Sequence, residues 1–171
     1  MKEILQKQDK HPSQRGWFSA ELYEQMKNNN KIWLLTGDLG FKMFDNHFID
    51  FPERVINCGA SEQAMVGIAV GLALEKKIPF VYSITPFVLY RPYEWLRNYL
   101  QNEEIAVKLV GAGRNRDYEA DGFTHWSEEA IPILDTLPKI IQFWPETKEE
   151  VPNMVKEMIG NNKPSFISLR R

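Results

Sequence analysis

The sequence predicts an α/β protein, a three-layer α/β/α arrangement around a mostly parallel six-stranded sheet. Short apolar runs of strand length alternate with segments of helical period along the whole chain. The runs open into turns bearing glycine or small polar residues, and ligands of such folds gather at the carboxyl ends of strands. With 171 residues, 43% hydrophobic and 26% charged, the chain suits one folded domain with a substantial core rather than a disordered segment.

Residues 1–16 read as a polar lead-in, and residues 17–171 as one domain. Ser19 is expected to cap a helix running to about Asn28, with Leu22, Tyr23 and Met26 on one face. Ile32 to Thr36 reads as a buried strand ending in the turn Gly37-Asp38-Leu39-Gly40, followed by a long aromatic loop over residues 41–52. Residues 54–57 read as a second strand. Residues 61–76 carry the clearest helical period, through Met65, Ile68, Ala69 and Leu72; Gly67 and Gly71 lie on one face and permit close approach of a neighbouring backbone.

A third strand is expected over residues 80–84 and a helix over 93–101, entered at Pro92. A fourth strand, residues 107–110, leads into a glycine-containing loop over 111–124. A short helix over 128–137 is interrupted near Pro132. Residues 140–143 form a fifth strand. A helix over 147–159 is expected with Thr147 as cap and Glu150 reaching back, and residues 166–169 are the sixth strand.

Several function classes are disfavoured. A net charge of -2 with no basic stripe gives no electrostatic case for nucleic acid; Arg114 and Arg116 are too few to change that. No apolar run approaches the ~20 residues needed to span a bilayer. The polar first ten residues do not resemble a secretory signal. The single cysteine, Cys58, cannot form an internal disulfide, so a cytoplasmic setting is expected. His11, His47 and His125 lack metal-ligand spacing, and no metal site is expected in this chain. Neither Gly37-Asp38-Leu39-Gly40 nor Gly111-Ala112-Gly113 matches a dinucleotide or phosphate-loop fingerprint, and no Gly-x-Ser-x-Gly elbow occurs.

Individual residues leave two readings each. Glu62 opens its helix, where an acid complements the helix dipole. It also stands at a strand-to-helix turn beside Cys58, Ala60, Ala64 and Met65, an apolar setting that suits a carboxyl used in proton exchange. His125, beside Trp126, is a satisfied loop residue or a substrate contact. Asp121 with Gly122 is a turn or part of a site. Phe87, Tyr90, Tyr93 and Trp95 are core, a stacking platform or an interface.

Four segments, in this order, resemble the pyrimidine-binding domain of transketolases. They are Thr36-Gly37-Asp38-Leu39-Gly40; the run FPERVINCGASEQAMVGIAVGLA over residues 51–73; Phe87 with Arg91-Pro92-Tyr93-Glu94-Trp95-Leu96-Arg97-Asn98; and Asp121-Gly122-Phe123-Thr124-His125 with Glu129, Leu137-Pro138 and Pro145. The resemblance covers about residues 17–171 and implies a thiamine diphosphate-binding fold. It implies that Glu62 hydrogen-bonds N1′ of the cofactor's aminopyrimidine, favouring the imino tautomer whose 4′ nitrogen takes the C2 proton. Phe87 matches the ring that stacks on the pyrimidine, and Asp38 and Leu39 match residues lining the cofactor. Asp121 and His125 match contacts to the donor's hydroxyls and carbonyl, and Arg15 matches an arginine that helps hold the substrate.

The resemblance also implies what must come from elsewhere. The Gly-Asp-Gly motif of the family's diphosphate- and metal-binding domain is absent, and the chain stops at the end of the pyrimidine-domain strand. A separately encoded partner is therefore expected to carry the diphosphate and Mg²⁺ or another divalent metal. Two copies of each chain are expected to assemble through the apolar helix over residues 61–76. Such an enzyme performs ketol transfer or a related carbon–carbon bond reaction on a small sugar or keto substrate; the alternative is a non-catalytic structural or regulatory subunit that keeps the fold. Two departures bear on the substrate. Gly113 stands where the family has a phosphate-site histidine, and Lys42 stands near the position of a phosphate-site serine. Ordinary pentose phosphates are thereby disfavoured.

Overall fold

The computed structural model describes residues 12–171. Most of the expected lead-in, and His11, lie outside the described residues. The strands are β1 (Ile32–Thr36), β2 (Val55–Asn57), β3 (Ile78–Ile84), β4 (Lys108–Ala112), β5 (Ile141–Phe143) and β6 (Ser165–Leu169). They form one sheet in the order β2-β1-β3-β4-β6-β5, with every pairing parallel. Parallel strands need crossovers, so helices cover both faces and the strands read as continuous apolar runs.

The helices are α1 (Gln14–Asn28), α2 (Asp45–Asp50), α3 (Glu62–Leu74), α4 (Thr85–Tyr90), α5 (Tyr93–Trp95), α6 (Ala130–Asp135) and α7 (Val151–Gly160). Strand alternation sends Ile32, Leu34, Phe80 and Ile167 to one face, where they pack with Phe18 and Leu22 of α1 and Val155 of α7. Leu35, Val81, Leu109 and Phe166 face the other way, against Met65 and Ala69 of α3, Leu89 of α4 and Leu134 of α6. Burial of each of these side chains larger than alanine contributes about 1.5–3 kcal/mol. These two cores make the three layers.

The chain runs from β1 to β2 on one side, then crosses to β3 on the other side of β1. This reversal opens a crevice outside the carboxyl ends of β1 and β3, at Gly37 and Ser83. Parallel α/β sheets bind ligands at such switch points.

Several elements differ from the sequence expectation. Ser13, not Ser19, caps α1: its Oγ accepts from Gly16 N at 3.3 Å. Ser19 sits buried inside the helix, and its hydroxyl donates to Met43 O at 2.7 Å, a tertiary bond that no local pattern reveals. The aromatic loop contains α2, which buries Phe44 and His47. The capping pair at residues 147 and 150 does not form. Pro152 lacks an N–H, the ladder begins only with Met154 N on Glu150 O, and the Glu150 carboxylate accepts from Glu146 N. The helix expected over 93–101 is one α-helical turn followed by a π-helix over Leu96–Asn102. Gly67 is filled within the chain: a Cβ there would lie 3.2 Å from the Trp95 ring, whereas Gly71 faces open space.

Candidate functional site

Glu62 is the first residue of α3, and the β2–α3 turn delivers its side chain into the switch-point crevice. It is only 2% exposed. Both carboxylate oxygens are engaged. Ser83, near the end of β3, donates to Oε1 at 3.1 Å, and Arg91 Nη1 donates to Oε2 at 2.7 Å. Gly37, just past β1, makes room: a Cβ there would lie 3.3 Å from Glu62 Oε1 and 3.5 Å from Gly59 O.

The short helix α4 builds the wall of the crevice, and no sequence signal announced it. Pro86 lies in its first turn, where a missing N–H costs nothing. Thr85 Oγ1 donates to Gly113 O at 2.6 Å and anchors the helix to the loop after β4. Further along α4, Phe87 presents its ring, and Arg91 follows directly after the helix. The Arg91 guanidinium carbon lies 3.7 Å from the Phe87 ring centroid, and the His125 ring meets Phe87 in a T-shaped contact at 5.0 Å. His125 closes the second of two 3₁₀ turns, Glu119–Asp121 and Phe123–His125. Its Nδ1 lies 3.0 Å from Thr124 Oγ1.

A cavity of about 450 Å³ opens beside this crevice, lined among others by Arg15, Leu39, Lys42, Tyr82 and Tyr118. Arg15 lies in the first turn of α1 rather than ahead of the helix. Its Nη1 donates to Tyr118 Oη at 2.7 Å, while its buried Nε has no partner among the described residues. Gly113 has φ +85°, and a Cβ there would collide with the Tyr118 ring. The phosphate-site histidine of the resemblance therefore has no room here; Tyr118 fills that space and reaches Arg15.

Glu62, Phe87 and His125 thus form one connected cluster, and Arg15 and Leu39 share the adjoining cavity. Asp38 and Asp121 stand apart. Asp38, exposed with φ +60°, is locked to Asn57, which donates to Asp38 Oδ1 and accepts from Asp38 N, each at 3.0 Å. Asp121 is exposed, and its carboxylate makes no hydrogen bond or ion pair with the described residues. Ser83, Arg91 and Tyr118 were not singled out by sequence. The one available signal was that Arg91 falls four residues after Phe87, on the same face if the segment is helical. No cluster of three or more His, Cys, Asp or Glu that could hold a metal occurs among the described residues, and none of their helices is long and apolar enough to cross a membrane.

The family described as the transketolase pyrimidine-binding domain matches residues 10–171. The chain belongs to this family. A putative transketolase C-terminal section from Methanocaldococcus jannaschii is 28% identical over 158 residues, covering 92% of this chain and 50% of that protein. A 6-deoxy-6-sulfo-D-fructose transketolase subunit from Clostridium sp. is 29% identical, covering 88% of this chain and 47% of its own length. The chain spans about half the length of these curated relatives. Among solved structures, a split-gene transketolase described as an inactive β4 tetramer superposes with TM-score 0.81 at 28% identity, over 93% of this chain and 51% of that one. The transketolase of Campylobacter jejuni shares the fold at TM-score 0.83 and 22% identity, over 92% of this chain and 25% of that one. Within the pyrimidine-binding domain, the segment around Glu62 supplies the β2–α3 turn at the switch point.

Proposed function

We propose that this chain supplies the pyrimidine-facing half of a thiamine diphosphate site in a transketolase-type transferase. The observation that carries this reading is Glu62, a carboxylate 2% exposed at the switch-point crevice and tied through Arg91 to the ring of Phe87. An aminopyrimidine fits what these residues offer: a carboxyl for a ring nitrogen, a flat aromatic face, and a missing side chain at Gly37. Thiamine diphosphate supplies a nucleophilic carbon for making and breaking carbon–carbon bonds. The chain's own part is to hold a proton between Glu62 and the pyrimidine N1′ and to fix the ring on Phe87; Leu39, at the adjoining cavity, and Asp38, held apart by Asn57, are the proposed further contacts of the cofactor.

The diphosphate and Mg²⁺ belong to a partner. The Gly-Asp-Gly motif is absent from this sequence, and several relatives are named as one subunit of a transketolase rather than as a whole enzyme. The exposed face of α3, with Ala64, Ile68 at 42% exposure and the open Gly71, is the proposed joint, in an assembly of two copies of each chain. The adjoining cavity carries the cations Arg15 and Lys42. It suits an oxygen-rich, anionic sugar or keto substrate, with His125 and Asp121 on the donor side.

The test is co-expression with a Gly-Asp-Gly-bearing partner, followed by assays of cofactor binding and ketol transfer. Glu62→Gln is expected to abolish turnover and leave assembly intact. Unchanged turnover in that variant rules out the glutamate's role, and an assembly without turnover in the wild type favours the non-catalytic alternative.

A further inference from the structure

Arg91 makes two contacts at once. Its guanidinium donates to Glu62 Oε2 at 2.7 Å, and its flat carbon centre lies 3.7 Å from the Phe87 ring centroid. A flat nitrogen heterocycle held by Glu62 and Phe87 needs these same two features. The guanidinium covers one face of the Phe87 ring and takes one acceptor site of Glu62 Oε2, so a planar ligand that approaches from that side meets Arg91 first. Guanidinium is itself a planar N–H donor that stacks on aromatic rings. It therefore presents to Glu62 and Phe87 the same donor and flat face as an aminopyrimidine that carries its proton on N1′.

The burial of the two partners is unequal. The Glu62 side chain is 2% exposed, whereas that of Arg91 is 45% exposed. Arg91 reaches the carboxylate from the solvent side, from a position just past the end of α4. It can swing outward by changing its own rotamers, without moving the sheet or α3. Ser83 keeps its bond to Glu62 Oε1 when Arg91 leaves, so one oxygen remains oriented. Ser83 and Arg91 together satisfy the buried carboxylate, which without a partner would be strongly destabilising.

Resting on the assignment of Glu62 and Phe87 as pyrimidine contacts, we propose that Arg91 is a displaceable plug of the pyrimidine subsite. It occupies Glu62 Oε2 and the face of Phe87 while the site is empty and withdraws toward solvent as the aminopyrimidine enters. Cofactor then binds only the fraction of molecules with Arg91 withdrawn, and its apparent affinity falls by that fraction.

The experiment titrates thiamine diphosphate with Mg²⁺ into the assembly of the full chain with its diphosphate-binding partner, read by calorimetry. Arg91→Met keeps an apolar stem and removes the competing contacts. It is expected to bind about tenfold more tightly than wild type, as for a plug that is withdrawn in roughly one molecule in ten. Arg91→Lys keeps the charge but not the planar stack; it is expected to fall between the two and carries the test if Arg91→Met does not fold. In nitrogen-labelled protein, the Arg91 guanidinium signal is expected to be protected in the free assembly and to become solvent-averaged when cofactor is added. Equal or weaker binding by both variants, with the guanidinium still protected in the loaded wild type, overturns the plug while leaving the pyrimidine site standing. Absence of binding by wild type and variants alike overturns both.

Discussion

The Tyr118 hydroxyl accepts a hydrogen bond of 2.7 Å from the Arg15 guanidinium, joining the first turn of α1 to the loop after β4. The Nε of the same guanidinium is buried and unpaired among the described residues. Tyr118→Phe keeps the ring over Gly113 but leaves Arg15 Nη1 without this acceptor. A loss of about 1 kcal/mol in urea denaturation is expected. For an anionic substrate, KM is expected to change severalfold with little change in kcat.

Gly113 stands where both its backbone and its neighbour exclude a side chain. Its φ is +85°, and the Tyr118 ring occupies the Cβ position. Gly113→Ala is expected to lower stability by about 2 kcal/mol or more, seen as a drop in Tm. Gly113→His is expected to be worse rather than to restore a sugar-phosphate site. Phosphate-dependent activity gained by that variant would refute the account of the cavity.

Ser83 and Glu62 predict a second stability effect. Ser83→Ala removes the donor to Oε1 of a carboxylate buried to 2% exposure. The expected cost is on the order of 1–3 kcal/mol in chemical denaturation. On the proposed function, affinity for thiamine diphosphate is expected to fall with it, because the carboxylate loses the bond that orients it.

His47 predicts a pH dependence. It is 2% exposed, wedged between the rings of Tyr23 and Phe44, and neither ring nitrogen makes a hydrogen bond of ordinary geometry with the described residues. Burial pulls its pKa down from 6.5 to about 4, with the Ser19 backbone and Asp50 pulling weakly the other way. The unfolded chain therefore binds a proton below about pH 6.5 that the folded chain takes up only near pH 4. This contribution to stability is whole above pH 6.5, falls as pH drops toward 4, and levels off below, amounting to on the order of 3 kcal/mol. Equilibrium denaturation across that range should show the slope, and His47→Leu should flatten it.

The exposed face of α3 gives a test of assembly. Ile68 is 42% exposed and has Gly71, open to space, one turn away. Ile68→Glu is expected to leave the isolated chain's stability within about 0.5 kcal/mol of wild type, as for most surface changes. It is expected to prevent association with the proposed diphosphate-binding partner in light scattering. An intact complex would place the joint elsewhere.

Sequence and structure divide along physical lines in particular elements. α3 was legible because its apolar residues recur at helical spacing and a small-residue turn precedes it. The strands were legible because both faces are buried and their residues are mostly apolar. α4 was not, because six residues straddling a proline carry too short a pattern to register a period. The Ser19 and Thr147 caps failed for a related reason. Residue type suits a cap at either place, but Ser19 found a tertiary acceptor in Met43 O, and Pro152 moved the start of α7.

The sequence by itself determined the fold class, the family, and the place of Glu62 at the head of α3, since these are written in local periodicity and in one long contiguous segment. Only the tertiary structure decided that Glu62 meets Ser83 and Arg91, that Arg91 lies across Phe87, and that Tyr118 fills the space at Gly113. Those pairs are separated by 5 to 29 positions in the chain, or by 4 across a helix too short to announce itself. The Glu62 and Arg91 contacts are brought together by the crossover that places β3 beside β1 and by the packing of α4 on the sheet, and the Tyr118–Gly113 contact by the fold of the loop after β4, none of which has a local signature.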